Sequence, residues 1–358
     1  MNHNNLAITR GYVTENQILD PFAMRPYVNK RGIPVIAVVS GMKQNADGTQ
    51  TPVYREKQVF TNALLRKYEW EMIDAEVEDV MRQPLVGVND LLAAGLTKPL
   101  GSIGTSISTY EQLSDMSDAD VSMTLTPKKG ENDRVEFTPQ SIPVPIISKP
   151  FSLDLRTLDA SRRIGESLDV TQARVATLKV RETLESILFN GSDIVVDTFA
   201  IYGYTNHPKR DTATATQYGG GDWGTAGNAH KTVVGMITAL NAKGFFGPFG
   251  LYINSTQYSE ILQLWSTGNT AESQLSTMQR TIPDLKFVRR APKLDAGECV
   301  LVQLSKEVVD LAIAMDVTPV SWQEYGGMVN EFRVMTAVVP RIKFDANDQC
   351  GVAHATGC

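Results

Sequence analysis

The chain has 358 residues, of which 42% are hydrophobic and 21% charged, enough for a large buried core and roughly two or three domains or sub-domains. A net charge of −6 argues against a freely diffusing nucleic-acid binder, which carries a basic face, though not against a wall lying near nucleic acid. Three cysteines with no close pair argue against a zinc site and a disulfide framework and point to reduced thiols in a cytoplasmic protein; no apolar run reaches membrane-spanning length, and the start MNHNNLAITR has no signal-peptide core.

Residues 1–60 read as an arm, rich in Asn, Pro, Gly and Thr and without helical periodicity. Ile33–Val39 predicts a strand, and Gly41–Thr51, with its Asp47-Gly48 pair, a hairpin loop leading to Pro52-Val53-Tyr54. Such an arm cannot bury itself; it is either flexible or laid along a neighbouring surface. Residues 61–83 predict a helix, capped by Thr61 or Asn62 and ended by Pro84, with an apolar stripe of Leu65, Trp70, Ile73, Val77 and Val80. Its carboxylates, Glu69, Glu71, Asp74, Glu76, Glu78 and Asp79, are spread around the helix and describe a solvated face, not a cation site. From Gly95 to Gln140 the chain turns rich in Gly, Ser, Thr and Asp. Strand-like pieces fall at Ser102–Tyr110, Val121–Leu125 and Arg134–Phe137, with a turn at Pro127-Lys128-Lys129-Gly130. A two-stranded excursion with so little core is marginal in water and needs a partner surface.

An apolar, proline-marked run from Ile142 to Leu155 predicts strand. A long helix follows, with Asp169 as N-cap, Gln172 as capping-box partner and Asn190-Gly191 as a left-handed stop, a rod of roughly 30 Å. Val170, Ala173, Val180, Leu184, Ile187 and Leu188 share one face; Arg174, Lys179, Arg181, Glu182 and Glu185 are assigned to the opposite surface. Beyond it come an apolar piece, Ser192–Ile201, a loop over 202–228, and a helix from His230 to Ala242 with Val233, Val234, Ile237 and Leu240 inward. A buried strand at Phe249–Asn254 precedes a helix from Ser255 to about Trp265, then strands at Thr281–Arg290, Cys299–Leu304 and 308–320. Glu331–Lys343 predicts a long strand with Arg333 and Arg341 outward. Strands do not alternate regularly with helices, so the fold class is α+β with a mixed sheet.

No enzymatic constellation stands out. Gly219-Gly220-Gly221-Asp222-Trp223-Gly224 lacks the Lys-Ser/Thr at a helix start that a phosphate loop needs, and reads as a surface turn. His3, His207, His230 and His354 are scattered without metal-ligand spacing, and no GxSxG elbow is present. No catalytic residue, cofactor or metal site is assigned, and the expectation is a protein that is not an enzyme.

Three stretches together resemble one family. Tyr68-Glu69-Trp70-Glu71-Met72-Ile73-Asp74-Ala75-Glu76-Val77 is similar to the first helix of encapsulins. Pro150-Phe151-Ser152-Leu153-Asp154, Leu158-Asp159 and Arg162, then the long helix and Phe189-Asn190-Gly191, resemble the encapsulin strand and spine helix. Val309–Asp316 and Glu331-Phe332-Arg333-Val334, ending in Arg341-Ile342-Lys343, resemble the closing strands. Order and spacing match across most of residues 60–352.

Encapsulins share the Hong Kong 97 capsid fold with major capsid proteins of tailed bacteriophages. The resemblance implies an N-terminal arm over 1–60, a peripheral domain over 61–94, 142–199 and 305–344 that holds the spine helix, an extended loop over 95–141, and an axial domain over 200–304 and 345–358. The unsupported hairpin would then lie on another copy of the chain, through Tyr110, Lys128, Lys129 and Arg134. Val170, Val180, Leu184 and Ile187 would form the spine's packed face, and Arg162, Arg163 and Arg174 would face the lumen. The 60-residue arm and long loop favour a tailed-phage major capsid protein. It would assemble as pentamers and hexamers into an icosahedral head around double-stranded DNA, held without base readout, in the host bacterial cytoplasm. Decoration, portal and scaffold proteins are the implied partners, with no membrane. The alternative is an encapsulin nanocompartment enclosing cargo protein. Some capsids of this fold join subunits by a Lys–Asn isopeptide; Lys128, Lys129 and Asn347 are the residues such a bond would use here, and the reading does not rest on one.

Overall fold

A computed structural model of the chain describes residues 27–29, 34–44, 50–58, 72–73, 75, 77, 85–114, 135–154, 171–267, 270–324 and 329–358. In chain order the first elements are β1 (Tyr27–Val28), β2 (Pro34–Gln44), β3 (Gln50–Gln58), helix α1 (Val86–Ala93), β4 (Thr97–Pro99), β5 (Ile107–Leu113), β6 (Phe137–Pro143) and β7 (Ile147–Asp154). There follow α2 (Thr171–Asn190), β8 (Ser192–Val196), β9 (Phe199–Ile201), β10 (Asp211–Thr214), α3 (Asn228–Ala242), β11 (Phe249–Ile253) and α4 (Ser255–Ile261). The last are β12 (Leu264–Thr267), β13 (Thr270–Ser273), α5 (Gln274–Thr281), β14 (Leu285–Arg290), β15 (Glu298–Gln303), β16 (Val309–Glu324), β17 (Val329–Ile342) and β18 (Val352–Thr356). The chain divides into two compact units, one of Met1–Gln83, Ile146–Arg181 and Met315–Thr336, the other of Pro84–Pro145, Glu182–Ala314 and Ala337–Cys358.

In the first unit β1, β2 and β3 form an antiparallel sheet, with a register shift between Val39 and Gly41. The β-branched run after Pro34 favours this pairing. The arm therefore carries a sheet of its own, and Gly41–Gln44 continues β2 where the sequence predicted a loop; Asp47-Gly48 lies outside the described residues. Met72, Ile73, Ala75 and Val77 are helical, and Ile73 and Val77, one turn apart, are buried. Strand β7 pairs antiparallel with β17 from Val329↔Asp154 to Thr336↔Ile147, and Phe151 stacks on Phe332 at 5.0 Å. Among the described residues β7 has this one partner strand, the edge position its Pro150 requires. Arg333 lies over the Trp322 ring at 5.2 Å.

The second unit is built on a five-stranded sheet in the order β10-β18-β15-β11-β14. Strands β18–β15 and β15–β11 are antiparallel, β10–β18 and β11–β14 parallel, so the sheet is mixed, as expected. Strand β11 shows how the two faces are filled. Phe249, Leu251 and Ile253 join a core with Trp223, Val233, Met236, Leu240, Met278 and Leu301. Tyr252, pointing the other way by the two-residue strand period, meets Phe189 at 5.3 Å and Phe287 at 5.6 Å, edge to face. Several local expectations are corrected here. Val234 is exposed rather than inward, because it falls outside the buried stripe of Ala229, Val233, Met236, Ile237 and Leu240. The helix that opens at Ser255 ends at Ile261, since Leu264–Thr267 pairs with Thr270–Ser273. Thr281 closes α5 rather than opening a strand. The glycine cluster is a surface turn at Gly219, Asp222 and Gly224, which are exposed, but Trp223 is buried within it and its indole N–H donates to Thr232 Oγ1 at 3.3 Å. Gly220 lies so close to α3 that a Cβ there would stand 2.0 Å from Thr232 Oγ1.

Helix α2 contributes residues to both units. Val180, Leu184 and Ile187 are buried as expected, while Asp169 and Val170 lie outside the described residues. Gly191 ends the helix at φ +73°, and a Cβ there would meet the Ile201 carbonyl at 2.6 Å, which reserves the position for glycine. Two charged residues assigned to the outer surface, Arg181 and Glu185, are buried. Among the described residues no helix is long and apolar enough to cross a membrane.

Candidate assembly site at the root of the β5–β6 hairpin

Strands β5 and β6 pair antiparallel from Ile107↔Pro143 to Leu113↔Phe137, and Ser114 N–H extends the ladder to the Glu136 carbonyl at 3.0 Å. The hairpin is the two-stranded excursion read from the sequence, but β5 lies further toward its tip than Ser102–Tyr110 and β6 further toward its root than Arg134–Phe137; Val121–Leu125 and the Pro127-Lys128-Lys129-Gly130 turn lie outside the described residues. Pro139 and Pro143 fit because, among the described residues, β6 pairs with β5 alone and the other edge needs no amide donor. Away from the root the strands emerge: Phe137 is 61% exposed.

The root is held by a buried ionic group. Arg341, on β17, donates through Nε to Asp310 Oδ1 at 2.7 Å and through Nη2 to Asp310 Oδ2 at 2.5 Å. Its remaining nitrogen, Nη1, donates to Ser108 Oγ at 3.1 Å and to the Thr109 carbonyl at 3.4 Å, both on β5. Lys343 Nζ lies 2.9 Å from Asp310 Oδ2. Arg341 is 1% exposed and Asp310 4%, so the guanidinium fork is consumed by one carboxylate and one hairpin strand. This corrects the expectation that Arg341 points outward: the alternation that puts Arg341 opposite its neighbours puts it over β5, where Asp310 compensates its charge. Lys98 Nζ reaches the Thr109 carbonyl at 3.4 Å. Its pKa is lowered by burial and by Arg341 and Lys343, against Asp310. The group as a whole ties β4, β5, β16 and β17 together at one end of the hairpin.

A second anchor works on the same unit. Glu185, on α2, accepts from the amides of Gly87 at 2.7 Å and Val88 at 3.1 Å. Helix α1 has no cap of its own, since Leu85 precedes it, so a carboxylate 98 positions away from Gly87 supplies the N-terminal acceptor. Burial raises the Glu185 pKa despite these amide bonds, and it raises that of Asp90 despite Arg289 and Tyr252.

Beside the hairpin lies a cavity of about 290 Å³ lined by Tyr110, Phe199, Tyr202, His207 and Phe344 among others. Tyr110 is half-buried there and burial raises its phenol's pKa. Burial and Arg210 hold His207 and His354 down to about 4, so both imidazoles are neutral at pH 7. The structure thus brings Tyr110 to the root; Lys128, Lys129 and Arg134 lie outside the described residues, as do Arg162 and Arg163. Arg174 is exposed on α2, and Asn347 is exposed in a turn where its backbone N–H donates to Asp345 Oδ1 at 3.0 Å. Asp310, Ser108 and Glu185 were missed as anchors. The one signal for Asp310 was its place inside the Val309–Asp316 stretch, an acid amid apolar residues.

Comparison with known proteins bears on the fold. The chain is 27% identical over 282 residues to the type 1 encapsulin shell protein EncA of Myxococcus xanthus, spanning 78% of this chain and 90% of that protein. A virus-like particle from Pyrococcus furiosus aligns at a TM-score of 0.57 and 16% identity over 81% of this chain and 99% of its own. The capsid of Myoviridae phage XM1 aligns at 0.57 and 14% identity over 77% and 94%. The fold is therefore the Hong Kong 97 type expected from the resemblance. A family model, described as a family of unknown function (DUF6260), matches residues 60–355, and the chain belongs to that family.

Proposed function

We propose that this protein is the subunit of a closed shell, assembled from many copies as pentamers and hexamers with icosahedral symmetry. The observation that carries this reading is a Hong Kong 97-type fold with a hairpin anchored at its root by a buried ionic group and apolar at its emerging end. Exposed Ile194, Val195, Phe246 and Leu264 add apolar surface of the kind that marks contact with another protein. Contacts between copies can each be modest because closure multiplies them. In this reading 95–141 is the extended loop that lies on a neighbour, 200–304 and 345–358 the axial domain, and the remainder from residue 61 the peripheral domain. Its role is structural, not enzymatic.

Within that class we favour the major capsid protein of a tailed phage, enclosing double-stranded DNA. The arm before residue 60, which lies outside the family match, supports this choice. DNA would touch the inner wall without sequence readout, through Arg162, Arg163 and Arg174, and scaffold, portal and decoration proteins would join the particle in the host bacterial cytoplasm. The 27% identity to an encapsulin shell protein supports a protein-filled nanocompartment as the second reading. Electron microscopy of the purified protein tests the shell: uniform closed particles are expected, and small oligomers alone would refute it. Particles from native infected or producing cells then separate the two contents. Nuclease-protected double-stranded DNA is expected for a phage head, and co-purifying cargo protein without DNA would overturn that choice in favour of the nanocompartment.

A further inference from the structure

The centre of the second unit holds a pair of thiols that no part of the proposed shell function uses. Cys299 lies on β15, and its register partner on β18 is Ala355. Gly357, at φ +70°, turns the chain back, and the Cys358 amide donates to the Gly297 carbonyl at 2.9 Å. These two backbone constraints bring Cys299 Sγ within 3.4 Å of Cys358 Sγ. The ~2.05 Å of a disulfide needs the two sulfurs to approach by a further ~1.4 Å. Cys299 is 0% exposed and Cys358 9%, so the two differ in access.

We propose that Cys299 and Cys358 are an intrachain disulfide site, formed by a disulfide oxidant of the glutathione class and fastening the segment after β18 to β15. Cys358, the more accessible thiol, reacts first. Its thiolate attacks one sulfur of glutathione disulfide, forming a mixed disulfide and expelling one glutathione thiolate. The Cys299 thiolate then attacks Cys358 Sγ, forming the intrachain S–S bond and expelling the second glutathione. Two protein thiols lose two protons and two electrons, and one glutathione disulfide becomes two glutathiones. Burial and the neighbouring Cys358 hold the Cys299 thiol well above its ordinary range, so the second step is favoured as pH rises. Cys350, also a buried free thiol, serves as the internal control.

The test uses the full folded chain. It is incubated with glutathione disulfide, then denatured, alkylated and read by mass spectrometry. Alkylation is expected to fall from the three cysteines of the sequence to one, with a peptide linking residues 299 and 358 that dithiothreitol separates. The oxidised chain should unfold at higher urea concentration than the reduced one. Three alkylated cysteines after oxidation, a stable glutathione adduct at Cys358, a bond to Cys350 or a bond between chains would each overturn the proposal. Cys358→Ser changes the less buried partner and should keep the native circular dichroism while abolishing the oxidation; Cys350→Ala should leave the 299–358 bond intact. An oxidation that persists in Cys358→Ser would refute the assignment.

Discussion

A guanidinium as buried as that of Arg341 cannot be left without its carboxylate. Asp310→Ala should cost about 3–5 kcal/mol in urea unfolding, since it strands a buried charge. Arg341→Lys should cost less, because the charge opposite Asp310 survives, although one ammonium cannot span both Asp310 oxygens and Ser108 at once. If Asp310→Ala left the unfolding midpoint unchanged, the ionic root would have no energetic role. Glu185 gives a prediction in pH. Its pKa is raised in the folded protein, so its contribution to stability is fully present below the ordinary carboxylate value of about 4 and is lost as pH rises through the raised value. Glu185→Gln removes the titration. The stability gap between wild type and variant should therefore be widest at low pH and narrow upward, measured by urea unfolding across that window. A gap that widens with pH would contradict the direction of the shift. Both residues were misread from sequence for one reason. A charge on a helix or strand is assigned to water by local pattern, and only a partner 31 or 98 positions distant reverses that assignment.

At the level of elements, the long helix and the closing strands were legible because they are periodic. Val180, Leu184 and Ile187 repeat at helical spacing and are buried, and the Asn190-Gly191 stop falls where it was placed. Short elements were not. Helix α5 has eight residues, QLSTMQRT, too few to establish a period, and its N-cap Ser273 is one serine among several. The β5–β6 hairpin was half legible: its two-stranded nature followed from composition, but the prolines in FTPQSIP hid where β6 runs. Its role in assembly is open to a direct test. Replacing residues 115–134 with a short Gly-Ser linker preserves Ser108, Asp310 and Arg341. The variant should keep native circular dichroism and lose closed particles in electron micrographs. Normal shells from it would remove the hairpin from the assembly surface.

For the whole molecule, the fold class and the shell reading rested on order and spacing of motifs over most of the chain, whereas the sheet within the first 60 residues had no such guide. One feature of the five-stranded sheet reaches beyond architecture into biosynthesis. Strand β18 lies between β10 and β15, and β10 pairs with nothing else among the described residues. A ribosome delivers β10, β11, β14 and β15 well before residues 352–356 emerge. Until then β10 has no ladder to join, and one edge of β15 stays open. The sheet is thus completed by a late, long-range pairing, the kind that slows folding because a large loop must close first. Subunits would then become assembly-competent only after synthesis has passed residue 356, so that half-made chains are kept out of a growing particle. Chains arrested at residue 345 should remain protease-sensitive across 200–304, and resistance equal to the full chain would show that the sheet closes without β18.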